Sequence, residues 1–500
     1  VTGEPLEGGL LEGGLLEGYG PGPLDEAVDS VGRVRKPYRQ IMTALDAIGP
    51  ERLQHRAEDL ERSRSEQGIV FTAQVDGHPQ QQVFPLDPVP RLIGHRSWLH
   101  VAASAAQRAR ALNAFLADVY GDDVPDSAVA GEKRVPEIVA AGIMPAQLLA
   151  RVPGYRSAAT GLSAPGRARA TVLGLDLLTD SDGRWVVLED NLQVPSGLGY
   201  ALANRRTAAA VLAELHSSAT GLLSTDAIGA QLLRALQDAA PGRCPREVPQ
   251  VVVLSDRPAN SAWYEHQLLA AEMGVPVVHP DDLVADGDGV AARTPEGLVD
   301  VDVVYRRLGG DELLGDTFAG RLLRNASRSR SVSIANAPGN GVADDKAVYA
   351  FVGPMIRFYL GEEPVLADVG TWLLADPAQY AAVRGRMGEL VVKPVDGSGG
   401  AGVMIGPDLT RRQVIELEAA VAAAPHRYIA QEVIHFSTHP TFIDSALRPR
   451  HVDLRIFVLS GAETVVVEAG LTRVALQADG LLVNSSQGGG SKDTWLMGDH

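Results

Sequence analysis

From Trp98 to Tyr120 the apolar positions Trp98, Val101, Ala105, Ala109, Leu112, Leu116 and Val119 recur every three or four residues. That period puts one apolar stripe on a helix, so a long amphipathic helix is expected there. The pattern then changes. Ala170–Leu178 and Trp185–Leu188 are short apolar runs joined by Thr179-Asp180-Ser181-Asp182-Gly183, which predicts two strands and a turn. Residues 204–242 return to a helical pattern. A buried run at Val248–Leu254, a helical stretch at Ala262–Met273 and a second run at Val275–His279 alternate as strand, helix and strand. They predict a small doubly wound lobe ending near Leu308. Beyond a polar stretch at 324–340, helices are expected around Lys346–Tyr359 and at Arg411–Ala424. Strands are expected near Tyr428–Val433, Val452–Leu459 and Glu463–Ala469.

The segment Leu390-Val391-Val392-Lys393-Pro394 carries the strongest chemical signal. It is an apolar strand that ends in a lysine and runs into Gly397-Ser398-Gly399-Gly400-Ala401-Gly402. Gly397, Gly399 and Gly402 match G-x-G-x-x-G, but a dinucleotide fold would need a helix to follow. Here Val403-Met404-Ile405 is short and is stopped by Gly406-Pro407, so it predicts a returning strand. A glycine tip can fold its backbone N–H groups over phosphates without side-chain obstruction. Lys393 can place a point charge on the same phosphates. The pattern is that of a nucleotide lid.

Size and charge narrow the field. Five hundred residues exceed one core, so two or three lobes are expected. No apolar run reaches about 18 residues, which predicts no membrane span. No basic start precedes an apolar run and cleavage pattern, so a cytoplasmic protein is expected. The single cysteine, Cys244, sits in a loop and excludes an intramolecular disulfide or a cysteine-based zinc cluster. A formal charge of −17 argues against nucleic acid as partner. The lysines are Lys36, Lys133, Lys346, Lys393 and Lys492, and three of these five fall in the last third, beside acidic or glycine-rich segments. Residues 1–25 carry a Leu-Glu-Gly-Gly-Leu near-repeat without helical or strand period, and a disordered arm is expected over 1–30. The further divisions are 31–240 (helical region and strand pair), 241–325 (small β-α-β lobe) and 326–500 (nucleotide-binding region).

Several constellations can carry chemistry. On the paired strands, Asp176 can approach Glu189 and Asn191, which share a face. The resulting oxygen cluster suits Mg²⁺ carried in with a nucleotide, the alternative being a solvated acidic turn. Gln431-Glu432-Val433-Ile434 ends a strand and can offer backbone groups to an adenine edge and an acid to ribose hydroxyls. In Asp453-Leu454-Arg455 the ionised residues of an apolar strand need partners. Arg455 can stabilise charge on a transferring phosphoryl group, or form a structural ion pair with Asp453 or a neighbour. Asp344-Asp345-Lys346 near a helix start can put a second lysine on the nucleotide, or leave it in solvent. Tyr305-Arg306-Arg307 suits a carboxylate ligand, with a surface salt bridge as the default. The run from Asn484 to Lys492 is no P-loop, because Ser491 precedes the lysine, yet its backbone can bind an anion or substrate. No nucleophile elbow or His-Glu-x-x-His motif appears, and His435 and His451 read as ordinary core or surface residues.

Together these residues resemble the ATP-grasp superfamily, in its circularly permuted branch related to glutathionylspermidine synthase-like proteins. Lys346, Lys393 with its loop, Glu432, Asp453-Leu454-Arg455 and Asn484 with Gly488–Gly490 follow the family order. The metal-binding strands, with Asp176 and Glu189-Asp190-Asn191 ahead of Pro195-Ser196-Gly197, stand at the front instead, as permutation implies. The similarity covers most of residues 30–500. Two departures stand out: the proline falls one position later than usual, and Gly174 occupies a place where some relatives carry arginine. No amidase domain like that of true glutathionylspermidine synthases is expected within these residues, so polyamine specificity is not implied.

The resemblance implies an α/β (α+β) fold, a permuted ATP-grasp with a small doubly wound lobe, and ATP-dependent carboxylate–amine ligation through an acylphosphate. It implies ATP and Mg²⁺ as cofactors and small-molecule or peptide carboxylates and amines as partners. In that reading Asp176, Glu189 and Asn191 hold Mg²⁺, and Lys346, Lys393, Gly397, Ser398, Gly399, Gly400 and Gly402 hold phosphates. Gln431, Glu432 and Ile434 meet the nucleoside, while Arg455 and Arg473 stabilise the transition state. Arg306, Arg307 and Asn484 meet substrate. The competing expectations are a scaffold that binds nucleotide or peptide without turnover, and a phosphotransferase with no amine acceptor.

Overall fold

The strand Ala446–Ser460 is fifteen residues long and organises the largest sheet. The fold is that of a computed structural model, which describes residues 14–499 except 23, 76–77, 122–133, 243, 398–401, 478–482 and 484–488. The large sheet has eight strands: Ala367–Asp368, Trp185–Asn191, Val172–Thr179, Ala446–Ser460, Thr464–Val474, Gly490–Leu496 and Leu86–Ile93 in spatial order, with Thr438–Ile443 also paired to Ala446–Ser460. Its strands therefore come from both ends of the chain, and regions 31–240 and 326–500 share one sheet. The expected strand pair is present at Val172–Thr179 and Trp185–Asn191, paired antiparallel.

Alternation along these strands separates structure from chemistry. Leu173, Leu175 and Leu177, with Leu454, Ile456 and Val458 from the neighbouring strand, point into one core with the helix His95–Tyr120. That helix buries the expected stripe, including Trp98, Val101, Leu112 and Leu116. Each fully buried leucine contributes about 1.5–3 kcal/mol, which fixes the strand register firmly. Asp176, Asp453 and Arg455 lie at the intervening positions and face the other way.

A second, four-stranded antiparallel sheet runs Thr371–Leu373, Tyr428–Glu432, Leu390–Pro394, Met404–Ile405. Val391 pairs with Ile405 and Val392 with Met404, so the chain does return as a strand beyond the glycine loop. Leu390 and Val392 join Val383, Leu417 and Val421 in this lobe's core, under helices Pro377–Val383 and Arg411–Ala423. A third sheet is parallel, in the order Ser333–Ala335, Val303–Arg306, Val251–Leu254, Val277–Val278, and packs on helix Trp263–Met273. This is the doubly wound lobe, and Ser333–Ala335 carries it beyond residue 325. A three-stranded antiparallel sheet (Leu283–Asp286, Gly289–Thr294, Gly297–Val301) is inserted in it.

The helical span expected over 204–242 is broken. Helices run Leu198–Val211, Ala213–Ser218 and Ile228–Asp238, and Gly221 takes a φ of 78° in the gap. The run Ser217-Ser218-Ala219-Thr220-Gly221 is turn chemistry that the apolar pattern around it masks. Within the arm expected to be disordered, Leu15, Ala27 and Val28 are buried, and Asp25 bridges to Thr438. Asp25 also accepts hydrogen bonds from the backbone N–H groups of Ala27 and Val28. The packed body therefore begins before residue 31.

Candidate functional site

The small antiparallel sheet faces the polar side of the large sheet across a cleft enclosing about 980 Å³, part of it open to solvent. Asp176, Glu189, Lys346, Lys393, Gly397, Gln431, Glu432, Ile434, Asp453 and Arg473 line it. Leu178, Leu188, Val391, Ile405 and Phe436 form an apolar slot at the same place. A flat apolar slot beside paired cations suits a ligand with a ring at one end and anionic charge at the other.

Strand register builds the charged floor. Asp176 lies opposite Glu189 on one side and Arg455 on the other, and Asp453 lies opposite Arg473. Asp176 Oδ1 accepts from Arg455 Nε at 2.6 Å, and Oδ2 accepts from Arg455 Nη2 at 2.7 Å and Arg473 Nη2 at 2.9 Å. Arg473 Nε also donates to Asp453 Oδ1 at 2.9 Å. Burial alone would raise Asp176, but the two guanidiniums outweigh it and hold its carboxyl down at about 2. Burial raises Asp453 in spite of Arg473. Arg455 is thus paired with Asp176 rather than with Asp453. It donates as well to the Ser196 carbonyl at 3.0 Å.

Glu189 owes its aim to a bulge. Asp176 pairs with Glu189 and Leu177 with Val187, which leaves Leu188 as the extra residue. Asn191 lies opposite Gly174, and its Nδ2 is buried without a hydrogen-bond partner. A Cβ at Gly174 would stand 3.1 Å from Pro195 Cβ and 3.7 Å from Arg455 Cδ. The turn packs closely against that strand, and a side chain at 174 would require Pro195 to give by a few tenths of an ångström. Gly197 closes the turn at a φ of 123°, a conformation that favours glycine.

The cations arrive from two further segments. Asp345 caps the short helix Lys346–Tyr349 through the backbone N–H of Ala347 at 2.8 Å, which puts Lys346 at its first turn. Lys346 Nζ lies 3.4 Å from Glu189 Oε1 and donates to the Gly397 carbonyl. Lys393 projects from the small sheet into the cleft. Burial lowers it to about 8, with Glu189 opposing the shift and Lys346 adding to it. Gln431 is buried beside it and donates to Thr371 Oγ1 at 2.9 Å. Glu432 is exposed at the rim, with Arg386 at 3.4 Å. Gly402 takes a φ of 72°. Ser398, Gly399, Gly400 and Asn484 lie outside the described residues.

Arg306 and Arg307 are in the interior. Arg306 donates to the carbonyls of Asn336, Leu308 and Gln193 at 2.9, 2.6 and 2.9 Å. Arg307 donates to the Pro195 carbonyl at 2.7 Å and to Ser196 Oγ at 2.8 Å, and it pairs with buried Glu265 at 3.0 Å. Both arginines tie the parallel lobe to the 193–196 turn. Lys492 is fully buried against Asp87.

Asp344 was not singled out by the sequence as a site residue. Its two oxygens accept the backbone N–H groups of Leu192 and Gln193 at 2.6 and 3.2 Å, and burial lifts it to about 7. Its position beside Asp345 and Lys346 was the one available signal.

Among the described residues no group of three or more His, Cys, Asp or Glu could by itself hold a metal ion. Glu189 and the lone pair left on Asp176 Oδ1 form a partial oxygen set on the cleft wall, whereas Asn191, two residues beyond Glu189 on the same strand, is not among the residues lining the cleft. That set fits a hard cation arriving with phosphate oxygens and water of its own.

Residues 90–475 match the family described as circularly permuted ATP-grasp type 2. A Frankia alni protein named "Putative glutamate--cysteine ligase 2-3" is 46% identical over 486 residues, which cover 96% of this chain and 54% of that protein. The chain thus spans about half the length of this relative, and a similarly named Frankia casuarinae protein is likewise matched over 54% of its length, at 45% identity. An uncharacterised Synechocystis protein is 37% identical, with 96% of this chain and 98% of that protein covered. Among solved structures, a glutathione synthetase-like effector from Globodera pallida in its apo form superposes with a TM-score of 0.55. It is 14% identical, with 90% of this chain and 98% of that chain covered, a likeness of fold. On the match over residues 90–475, the chain belongs to the circularly permuted ATP-grasp type 2 family.

Proposed function

We propose that the chain is an ATP-dependent carboxylate–amine ligase that forms an amide, peptide-like bond. The observation that carries this reading is the convergence of Lys346, Lys393, Glu189 and Asp176 on one cleft from three separate segments. Lys346, Lys393 and the glycine loop from Gly397 through Ser398, Gly399 and Gly400 to Gly402 hold the phosphates. Gln431, Glu432 and Ile434 border the nucleoside end, and the apolar slot takes the base. Asp176, Glu189 and Asn191 hold Mg²⁺, which when bound offsets phosphate charge.

The chemistry that follows is a double displacement. A carboxylate oxygen of the acid substrate attacks the γ-phosphorus, the bond to the β-γ bridging oxygen breaks, and ADP leaves with that electron pair. The amine nitrogen then attacks the acyl carbon, phosphate leaves, and the nitrogen loses a proton to become an amide. Arg473, which lines the cleft, and Arg455, which shares Asp176 with it, offset charge on the transferring phosphoryl group in this reading, and the protein contributes mainly positioning and charge. Arg306 and Arg307 act at a distance, by fixing the turn that follows Asn191. The acid and the amine are small molecules or peptides. The names of the Frankia relatives make amino acids the first pool to try, although this chain matches only about half of each.

The test is product stoichiometry. With MgATP and pooled amino acids, short peptides and polyamines, one ADP and one phosphate should appear per amide formed, and Lys393→Ala should abolish this. ADP formed without matching phosphate would instead indicate a phosphotransferase.

A further inference from the structure

Asp190 follows Glu189 on the same strand and therefore points to the opposite face, away from the cleft. There it meets Arg108, from the middle of the helix His95–Tyr120, whose Nε and Nη2 donate to Asp190 Oδ1 and Oδ2 at 2.6 and 2.7 Å. The third arm of the guanidinium, Nη1, donates to Asp368 Oδ1 at 2.5 Å. Arg108 and Asp190 are both buried.

Asp368 lies in the strand Ala367–Asp368, which pairs in parallel with Val186 and Val187 just before the Leu188 bulge. That strand is the start of the connection into the small sheet, which brings Lys393 and Gln431 to the cleft. The same connection is gripped twice more. Gln107 donates to the Glu363 carbonyl at 2.9 Å and accepts the Val365 N–H at 3.0 Å. Tyr349, under the Arg108 guanidinium, donates to the Val187 carbonyl at 2.5 Å and accepts the Val369 N–H at 2.7 Å.

We infer that Arg108 is a positioning residue that sets the spacing between the Glu189 strand and the nucleotide-holding small sheet, by clamping Asp190 and Asp368 together. One planar fork with fixed donor geometry bridges the two carriers of the cleft, so they approach each other in one register. A lysine would keep the charge and lose the fork. This inference rests on the nucleotide reading of the cleft, and its test separates the two.

The full chain and its Arg108→Lys variant are titrated with MgATP by calorimetry, and KM for ATP and kcat are measured wherever turnover is found. Arg110→Ala is the control, because Arg110 holds Glu362 of the same connection from the surface. Arg108→Lys should weaken MgATP binding about tenfold, the size of effect seen when a group that orients a site residue is removed. KM should rise more than kcat falls, and Arg110→Ala should match wild type. If Arg108→Lys does not fold, Asp368→Asn takes its place, since Asp368 is partly exposed and the Arg108–Asp190 pair stays intact. Wild-type affinity in the variant, or an equal loss in Arg110→Ala, would overturn the inference. Failure of the wild-type chain to bind MgATP would instead remove the nucleotide reading beneath it.

Discussion

Asp176 and Arg455 stand opposite each other on adjacent antiparallel strands, joined by two hydrogen bonds of 2.6 and 2.7 Å. The carboxylate is buried, and taking it out of water costs several kcal/mol that only such paired geometry offsets. A strand in a leucine core has no structural need for that expense. Asp176 lines the cleft, and Arg455 reaches that cleft through it, so the pair supports the cleft's charged floor.

Replacing Asp176 by Asn removes the anion that Arg455 and Arg473 share. Breaking a buried pair from one side typically costs about 3–5 kcal/mol, so Asp176→Asn should lower the urea midpoint and abolish ATP turnover. Chemical denaturation followed by circular dichroism checks the first expectation. Wild-type stability would mean that the arginines find other partners and that Asp176 is no keystone.

Lys393 gives a pH signature. Its folded-state pKa, about 8, lies below the ordinary lysine range because burial disfavours the charge. The unfolded chain therefore holds more protons above about pH 8, and this residue's contribution makes stability rise with pH from there to the ordinary lysine pKa. Below pH 8 the buried charge costs stability in full. Phosphate binding has the opposite sign, since it needs the ammonium. ATP affinity should fall as pH rises through about 8, by up to tenfold per unit, and Lys393→Ala should flatten that profile. Binding measured from pH 7 to 9.5 decides it.

Arg306 separates two roles. With all three arms on backbone carbonyls, it is placed to hold the 193–196 turn rather than a free carboxylate. Arg306→Lys should lower Tm and leave KM for the acid substrate within about twofold, since a lost tie of this kind is expected to act on stability. A rise in that KM at unchanged Tm would assign Arg306 to the substrate.

Gly197→Ala should cost about 1–3 kcal/mol. A Cβ there would sit 3.1 Å from both Leu471 Cδ2 and Phe457 Cζ at a φ of 123°. Thermal denaturation reads this directly, and an unchanged Tm would mean that the turn relaxes freely.

Much of this arrangement was legible in the residues. The helical stripe from Trp98 to Val119, the strands around Asp176 and Glu189, and the returning strand after Gly402 all follow from apolar period and turn chemistry. Their periods are local, and the core they feed confirms them. What could not be read is non-local. The Leu188 bulge depends on which strand lies alongside, and Arg455 found Asp176, 279 positions away, in place of Asp453 two residues away. The pairing of Arg108 with Asp190 and Asp368 crosses three segments, and nothing in any one of them announces it. Arg306 and Arg307 looked like ligand clamps because a sequence shows charge without showing which backbone carbonyls surround it.

The most direct test of the account is calorimetric titration of the wild-type chain and Lys393→Ala with ATP in the presence of Mg²⁺. A nucleotide site built on Lys346, Lys393, Glu189 and Asp176 predicts saturable one-to-one binding that depends on Mg²⁺ and weakens at least tenfold in the variant, the loss of about 1.4 kcal/mol or more expected for a charge-assisted phosphate contact. No binding by the wild-type chain, or equal binding by both, would contradict it.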